Sequence, residues 1–318
     1  MHGVKKALEA VSLVERKQQE QDERPQIEHF KTLVTDVLKL RDSKEFDAHA
    51  SLKVTGELLL LNPDLMTAWN LRKKALLSLL HNKECEALIK EELEFGVSAI
   101  KVNPKSYGAW YHRKWLITKL HDFGVHFGLV VEIKLCSKLL DLDSRNFHCW
   151  NYRWFLFQTF DVSVQDEFNF TTQMIYKNFS NYSAWHRRSL LFPMLMDNLN
   201  GEEVRKAIIN DLKLIKSAYF TEPADQSCWF YLRWIIDFGA RWFEKKALLE
   251  QELDSINELL AIEPEAPLAL YTWVNLAKEL NLARNLIEPK LEILRRVDPL
   301  RVGMYNSLSL ALKSTIPP

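Results

Sequence analysis

The sequence predicts an all-α fold, an α–α superhelix (a right-handed solenoid) of about seven helical hairpins. Two observations predict it. An eight-residue window ending on Trp recurs along the chain, and no alternating strand pattern of useful length interrupts it. With only 9 Gly and 11 Pro in 318 residues, a turn-rich all-β fold is also disfavoured.

Five windows align without gaps: Asn62 to Trp69 (NPDLMTAW), Asn103 to Trp110 (NPKSYGAW), Asp143 to Trp150 (DSRNFHCW), Asn178 to Trp185 (NFSNYSAW) and Glu222 to Trp229 (EPADQSCW). The tryptophans are 41, 40, 35 and 44 residues apart. An Arg follows three residues after the first four (Arg72, Arg113, Arg153, Arg188) and four residues after the fifth (Arg233). Two weaker copies keep the offset without the Trp. Glu263-Pro264 leads to Leu270-Tyr271, and Asp298-Pro299 leads to Tyr305. Terminal repeats are commonly atypical.

One unit can be read residue by residue. An apolar helix such as ALIKEELEFGVSAIKV runs up to Asn103-Pro104, where Pro blocks its continuation. Ser, Asn or Asp then supplies the cap of the next helix. That helix, as in SYGAWYHRKWLITKLH, is aromatic on several sides and predicts burial against more than one neighbour. One hairpin cannot bury its apolar face alone, so neighbours must stack. The tryptophans read as core, wedged between successive hairpins. The Arg shares their helix face and predicts stacking on an aromatic ring or pairing with a carboxylate of the neighbouring repeat. His112 and His186 read as packed helix residues. Residues 1–26 form a charged N-terminal segment, and 27–318 read as a single helical-repeat domain with anchors at 69, 110, 150, 185, 229, 270/271 and 305.

Composition narrows the class. Lys+Arg and Asp+Glu are 42 each, so no global charge draws the chain to nucleic acid or a membrane surface. No window holds 18 apolar residues, and the N-terminus lacks a signal-peptide core, so no membrane span is expected and the cytoplasm is the default. The cysteines (Cys85, Cys136, Cys149, Cys228) form neither a disulfide framework nor a zinc knuckle. The sequence contains no clustered zinc ligands, HExxH, P-loop or Asp-rich metal motif.

The unit NPx5Wx2R, at a period near 40 instead of the 34 of tetratricopeptide arrays, resembles the repeat of the protein prenyltransferase α subunits from about Asn62 to Arg301. Several segments are similar to the Rab geranylgeranyltransferase (type II) branch. They are Met1-His2-Gly3, NPKSYGAW with HR, RNFHCW with YR, NFSNYSAWHRR, DQSCWFYLRW and VDPLRVG. The α subunit shared by farnesyltransferase and type I geranylgeranyltransferase is less similar at the N-terminus and the fifth repeat. The uninterrupted run from Trp229 to Tyr305 resembles a compact form without immunoglobulin-like and leucine-rich domains.

The resemblance implies one subunit of a heterodimeric transferase. Its β subunit, an α/α barrel, would carry the zinc and the isoprenoid pocket. The complex would transfer geranylgeranyl from geranylgeranyl diphosphate to C-terminal cysteines of Rab GTPases, presented by a Rab escort protein, in the service of vesicular transport. Lys105 and Tyr107 match the family's Lys-x-Tyr, which implies catalytic contacts to the diphosphate. From the residues alone, Lys105 reads as a solvated loop lysine. Asn146 occupies the matching loop one repeat later and is read either at the active-site mouth or as a helix cap, with Arg145 a second cation beside it. His2 would be a displaceable ligand reaching the β subunit's zinc, or part of a disordered terminus. A non-enzymatic scaffold that binds peptides, and the shared type I α subunit, remain the competing readings.

Overall fold

The computed structural model describes residues 13–80, 86–197 and 199–315. It is all-helical, with no strand among the described residues. Packing divides the chain into two compact units. The first contains α1 (Leu13–Asp42), α2 (Ala48–Leu61), α3 (Met66–Leu80), α4 (Glu86–Val102), α5 (Tyr107–Asp122) and most of α6 (Leu129–Leu142). It also takes residues 148–153 of α7 (Phe147–Thr159). The second contains the rest of α6 and α7, then α8 (Val164–Lys177), α9 (Tyr182–Met196), α10 (Gly201–Thr221) and α11 (Gln226–Gly239). It ends with α12 (Lys245–Ile262), α13 (Pro267–Glu279), α14 (Arg284–Val297), a 3-10 turn and α15 (Val302–Thr315). The charged segment 1–26 overlaps α1, which starts at Leu13 and contains Pro25. No described helix is long and apolar enough to cross a membrane. Cys136, Cys149 and Cys228 are free thiols, and Cys85 lies outside the described residues.

The recurring window is a turn that starts a helix. Its first residue ends one helix and bends the chain with its own side chain. Asn62, Asn103, Asp143 and Asn178 each accept the backbone N–H two residues on, at 2.9–3.2 Å. A backbone bond from the fourth residue to the first closes the turn at Asn103, Asp143, Asn178 and Glu222, and again in both weak copies at Glu263 and Asp298. The fourth residue then caps the new helix, as Ser106 and Asn181 do for the N–H groups of Ala109 and Ala184.

The tryptophan locks that turn from the helix side. Its indole N–H donates to the carbonyl six residues earlier: Trp69 to Pro63 at 2.7 Å, Trp110 to Pro104 at 2.9 Å, Trp185 to Phe179 at 2.8 Å and Trp229 to Pro223 at 3.0 Å. The ring itself is buried between hairpins, as the pattern predicts. Trp69 meets His112 of the next hairpin, Trp110 meets Tyr152 and Trp185 meets Tyr231, with ring centroids 4.5–5.5 Å apart. In the last copy Tyr305 replaces the indole, and its hydroxyl donates to Asp298 at 2.5 Å.

The arginine three residues on does what its helix face predicts. Arg72 lies over the Phe95 ring at 3.9 Å and grips both oxygens of Glu92 at 2.6–3.1 Å. Arg113 grips Glu132 and Arg188 grips Asp211, each at 2.6 and 2.8 Å. The same carboxylate takes a second donor from the residue twenty places on: His112 to Glu92 at 2.6 Å, Tyr152 to Glu132 at 2.8 Å, Tyr231 to Asp211 at 2.5 Å. All nine side chains are buried. Burial alone would raise the Glu92 carboxyl, but His112 and Arg72 bring it below its ordinary value. Burial holds His112 below its usual range, so a neutral ring donates through Nε2 and leaves Nδ1 bare. Removing the arginine or the carboxylate of such a triad would cost about 3–5 kcal/mol, because it strands a buried charge.

The fifth copy breaks the pattern. The slip of one residue puts Leu232 where the arginine belongs, and Thr272 stands twenty residues beyond Glu252 where the other copies have His or Tyr. Glu252 is still buried, at 2% exposure, and one of its oxygens has no hydrogen-bond partner. Burial pushes its carboxyl from the ordinary 4.5 up to about 7, against a weak opposing pull from Lys216. The folded state therefore holds a proton that the unfolded chain has released between those values. The contribution of this group to stability is greatest below about pH 4.5 and is lost as pH rises through about 7. At about 1.4 kcal/mol per pH unit, the loss is on the order of 3 kcal/mol. Glu252→Gln is expected to raise the melting temperature at pH 8 and to leave it nearly unchanged at pH 4.5. Equal melting of variant and parent at pH 8 would contradict the assignment.

Candidate functional site

The loop between α4 and α5 is four residues long, Asn103-Pro104-Lys105-Ser106. Asn103 accepts the Lys105 N–H at 3.0 Å and donates its amide to Asp64 at 3.0 Å. Ser106 is buried and donates to the Pro63 carbonyl at 2.8 Å while capping α5. The loop is thereby fastened to the turn of the preceding hairpin. Gly108 completes the fit. A Cβ there would lie 2.6 Å from the Trp69 indole nitrogen and 2.8 Å from the Pro63 carbonyl, so no larger residue enters without displacement.

With Ser106 and Gly108 turned inward, Lys105 and Tyr107 are turned outward. Both are exposed, Tyr107 by 69% of its surface. Lys105 forms no ion pair among the described residues. The His148 and Tyr107 rings meet in a T shape, with centroids 4.4 Å apart and planes at 89°. Burial lowers the His148 pKa below its ordinary value, Asp64 opposes this and the Lys105 charge reinforces it. The imidazole is therefore uncharged at neutral pH. The group offers one ammonium, one phenol and one neutral imidazole, a set suited to a polyanion with oxygen acceptors.

His148, within RNFHCW, is not marked as a site residue by its type or immediate neighbours. The available signal was its offset. It stands two residues before Trp150, as Gly108 stands two before Trp110, and in both copies that position meets the preceding hairpin.

Arg145 and Asn146 belong to the second unit. Arg145 is exposed, and its backbone N–H is held by Asp143 at 3.2 Å. Asn146 is buried and directly precedes α7, the position that Ser106 and Asn181 hold before their helices. His2 lies outside the described residues. Among the described residues, no group of three or more His, Cys, Asp or Glu is placed to hold a metal ion. His112 belongs to the Glu92 triad. His186 is stacked on Tyr182, with centroids 6.2 Å apart.

Gly108→Ala is expected to lower stability by about 1–3 kcal/mol, because the added methyl must push the indole or the Pro63 carbonyl aside. Urea unfolding measures it, and a variant as stable as the parent would show that the loop is not seated on Trp69.

The model of the protein prenyltransferase alpha subunit repeat matches residues 89–120, 130–160, 164–195 and 208–238. The mouse geranylgeranyl transferase type-2 subunit alpha is 38% identical over 243 residues, covering 74% of this chain and 42% of that protein. The chain thus spans less than half the length of this mammalian relative. The Dictyostelium discoideum protein of the same name is 32% identical over 319 residues, covering 97% of this chain and 99% of its own. A chain of the Candida albicans protein geranylgeranyltransferase-I complexed with GGPP superposes with a TM-score of 0.74 at 22% identity, over 90% of this chain and 91% of that one, and shares the fold. The turns locked by Trp110, Trp185 and Trp229 fall within the matched repeats, and the likeness to the Dictyostelium protein runs the length of the chain, so the chain belongs to the protein prenyltransferase alpha subunit family.

Proposed function

We propose that this chain is the α subunit of a heterodimeric Rab geranylgeranyltransferase. The observation that carries the reading is the paired outward display of Lys105 and Tyr107 on a loop whose inner face is fastened to Trp69 and Pro63. The relatives named geranylgeranyl transferase type-2 subunit alpha support it.

In the proposed reaction a cysteine sulfur of a Rab GTPase, presented by an escort protein, attacks C1 of geranylgeranyl diphosphate. The C–O bond breaks, and diphosphate leaves with the electron pair. Zinc held by the β subunit would present the cysteine as a thiolate. This chain's task is the leaving group, on which charge builds as the bond lengthens. The Lys105 ammonium would balance that charge and the Tyr107 hydroxyl would donate to it. His148, through its contact with Tyr107, is a positioning residue. Fixing the backbone at Lys105 and Tyr107 before substrate arrives limits reorganisation in the transition state. Arg145 and Asn146 are given the diphosphate-side contacts that the family resemblance implies, and His2 a displaceable contact with the partner's zinc. The reaction is assigned to the cytoplasm.

Two measurements test this. Co-expression with the β subunit of the same cell is expected to yield a stable heterodimer that prenylates a Rab–escort complex in preference to a CaaX peptide. The reverse preference would favour the shared type I α subunit, and failure to assemble would sink the reading. Within the heterodimer, Lys105→Ala is expected to slow the single-turnover rate about 10²-fold while leaving assembly intact. An unchanged rate would remove Lys105 from the mechanism.

A further inference from the structure

The register slip in the fifth repeat has two ends. At one end it strips Glu252 of its arginine. At the other it delivers Arg233 somewhere else. One residue along a helix turns a side chain by about 100°. Leu232 takes the ladder position, fully buried, and Arg233 is exposed. No hydrogen bond or ion pair ties its guanidinium among the described residues, and it rests 5.1 Å over the Phe230 ring. Where a chain departs from its own local rule at a cost to the core, the departure points to function.

Arg233 lines a cavity of about 240 Å³ with Phe230, Tyr271, Asn275, Arg301 and Met304. No carboxylate lines it. It opens at the N-terminal ends of α11 and α15, where helix dipoles add positive potential. Arg301 is already paired with Asp298 at 2.6 Å, so Arg233 is the uncommitted cation. Phe230 and Met304 give the cavity an exposed apolar rim. A second cavity, of about 130 Å³, shares Phe230 and is lined by Tyr182 and His186. Tyr182 meets Phe230 edge-on at 6.2 Å. Two cavities on either side of one aromatic wall fit an extended polypeptide better than a single small anion.

We propose that this groove docks an acidic segment of the partner subunit, with a carboxylate on Arg233 and an apolar neighbour laid over Phe230. The proposal rests on the heterodimer reading above and adds where and by what chemistry the partner is held. An interface gains most from an arginine that is anchored on an aromatic ring and uncommitted before binding.

The test is the dissociation constant of the heterodimer at rising salt, with the co-expressed β subunit as the probe. Arg233→Glu is expected to weaken assembly more than tenfold, and Arg233→Gln to weaken it less and to flatten the salt dependence. Arg241→Glu makes the same change in net charge outside the groove and is expected to leave affinity within twofold. Phenylglyoxal should modify Arg233 in the free chain and not in the heterodimer. Equal effects of the Arg233 and Arg241 reversals, or no effect of either, would overturn the proposal while the heterodimer reading stands. Arg233 staying reactive in the complex and protected by inorganic phosphate would make the groove a small-anion site and overturn it too. A parent chain that binds no β subunit would overturn both readings. Because Arg233 is exposed, melting temperatures of its variants should match the parent, which separates lost docking from lost folding.

Discussion

The hydrogen bond from a repeat tryptophan's indole to the carbonyl six residues before it sets the geometry on which the rest depends. The carbonyl belongs to the second residue of the turn, and the indole to the first turn of the next helix. Joining them fixes where that helix begins. Once the start is fixed, the alternation of the intervening residues is fixed as well. In the second copy Ser106 and Gly108 face the preceding hairpin, which leaves Lys105 and Tyr107 facing out. A large apolar ring with one polar handle suits this place. It supplies buried area for the core and satisfies a carbonyl that the turn would otherwise leave bare.

The arginine triads connect hairpin to hairpin. Each buries a charge pair, which is a weak source of net stability and a strong source of discrimination between registers. A hairpin shifted along its neighbour would leave Glu92, Glu132 or Asp211 buried without its guanidinium. The fifth copy shows the alternative. There the carboxylate survives as Glu252, its oxygen unpaired and its proton retained near neutral pH, while the arginine serves the surface. In the first unit Arg113 and Glu132 form such a pair, and in the second Arg188 and Asp211 do.

Part of this was legible because the determining bonds are local. The Asx turns, the caps and the indole bond span two to six residues, so each leaves its mark inside one eight-residue window. The unequal spacings also have a local cause. The 44 residues between Trp185 and Trp229 accommodate α10, which has 21 residues, against 14 in α8. The partners of the arginines were not legible in the same way. The carboxylates stand 19 to 23 residues further on, among many other acids, and nothing in their immediate sequence marks Glu92 or Asp211 as buried.

The sequence by itself determined the hairpin unit, its register, the all-helical class and the loop that carries Lys105 and Tyr107. These follow from short-range steric and hydrogen-bonding preferences that a chain expresses wherever it lies. Only the tertiary structure decided that His148 abuts Tyr107, that Glu252 is stranded and that Arg233 opens into a cavity with Arg301. Those facts depend on which hairpin packs on which and at what rotation. A rotation of one residue, about 100° around a helix, is invisible in composition yet separates a buried ion pair from an exposed guanidinium.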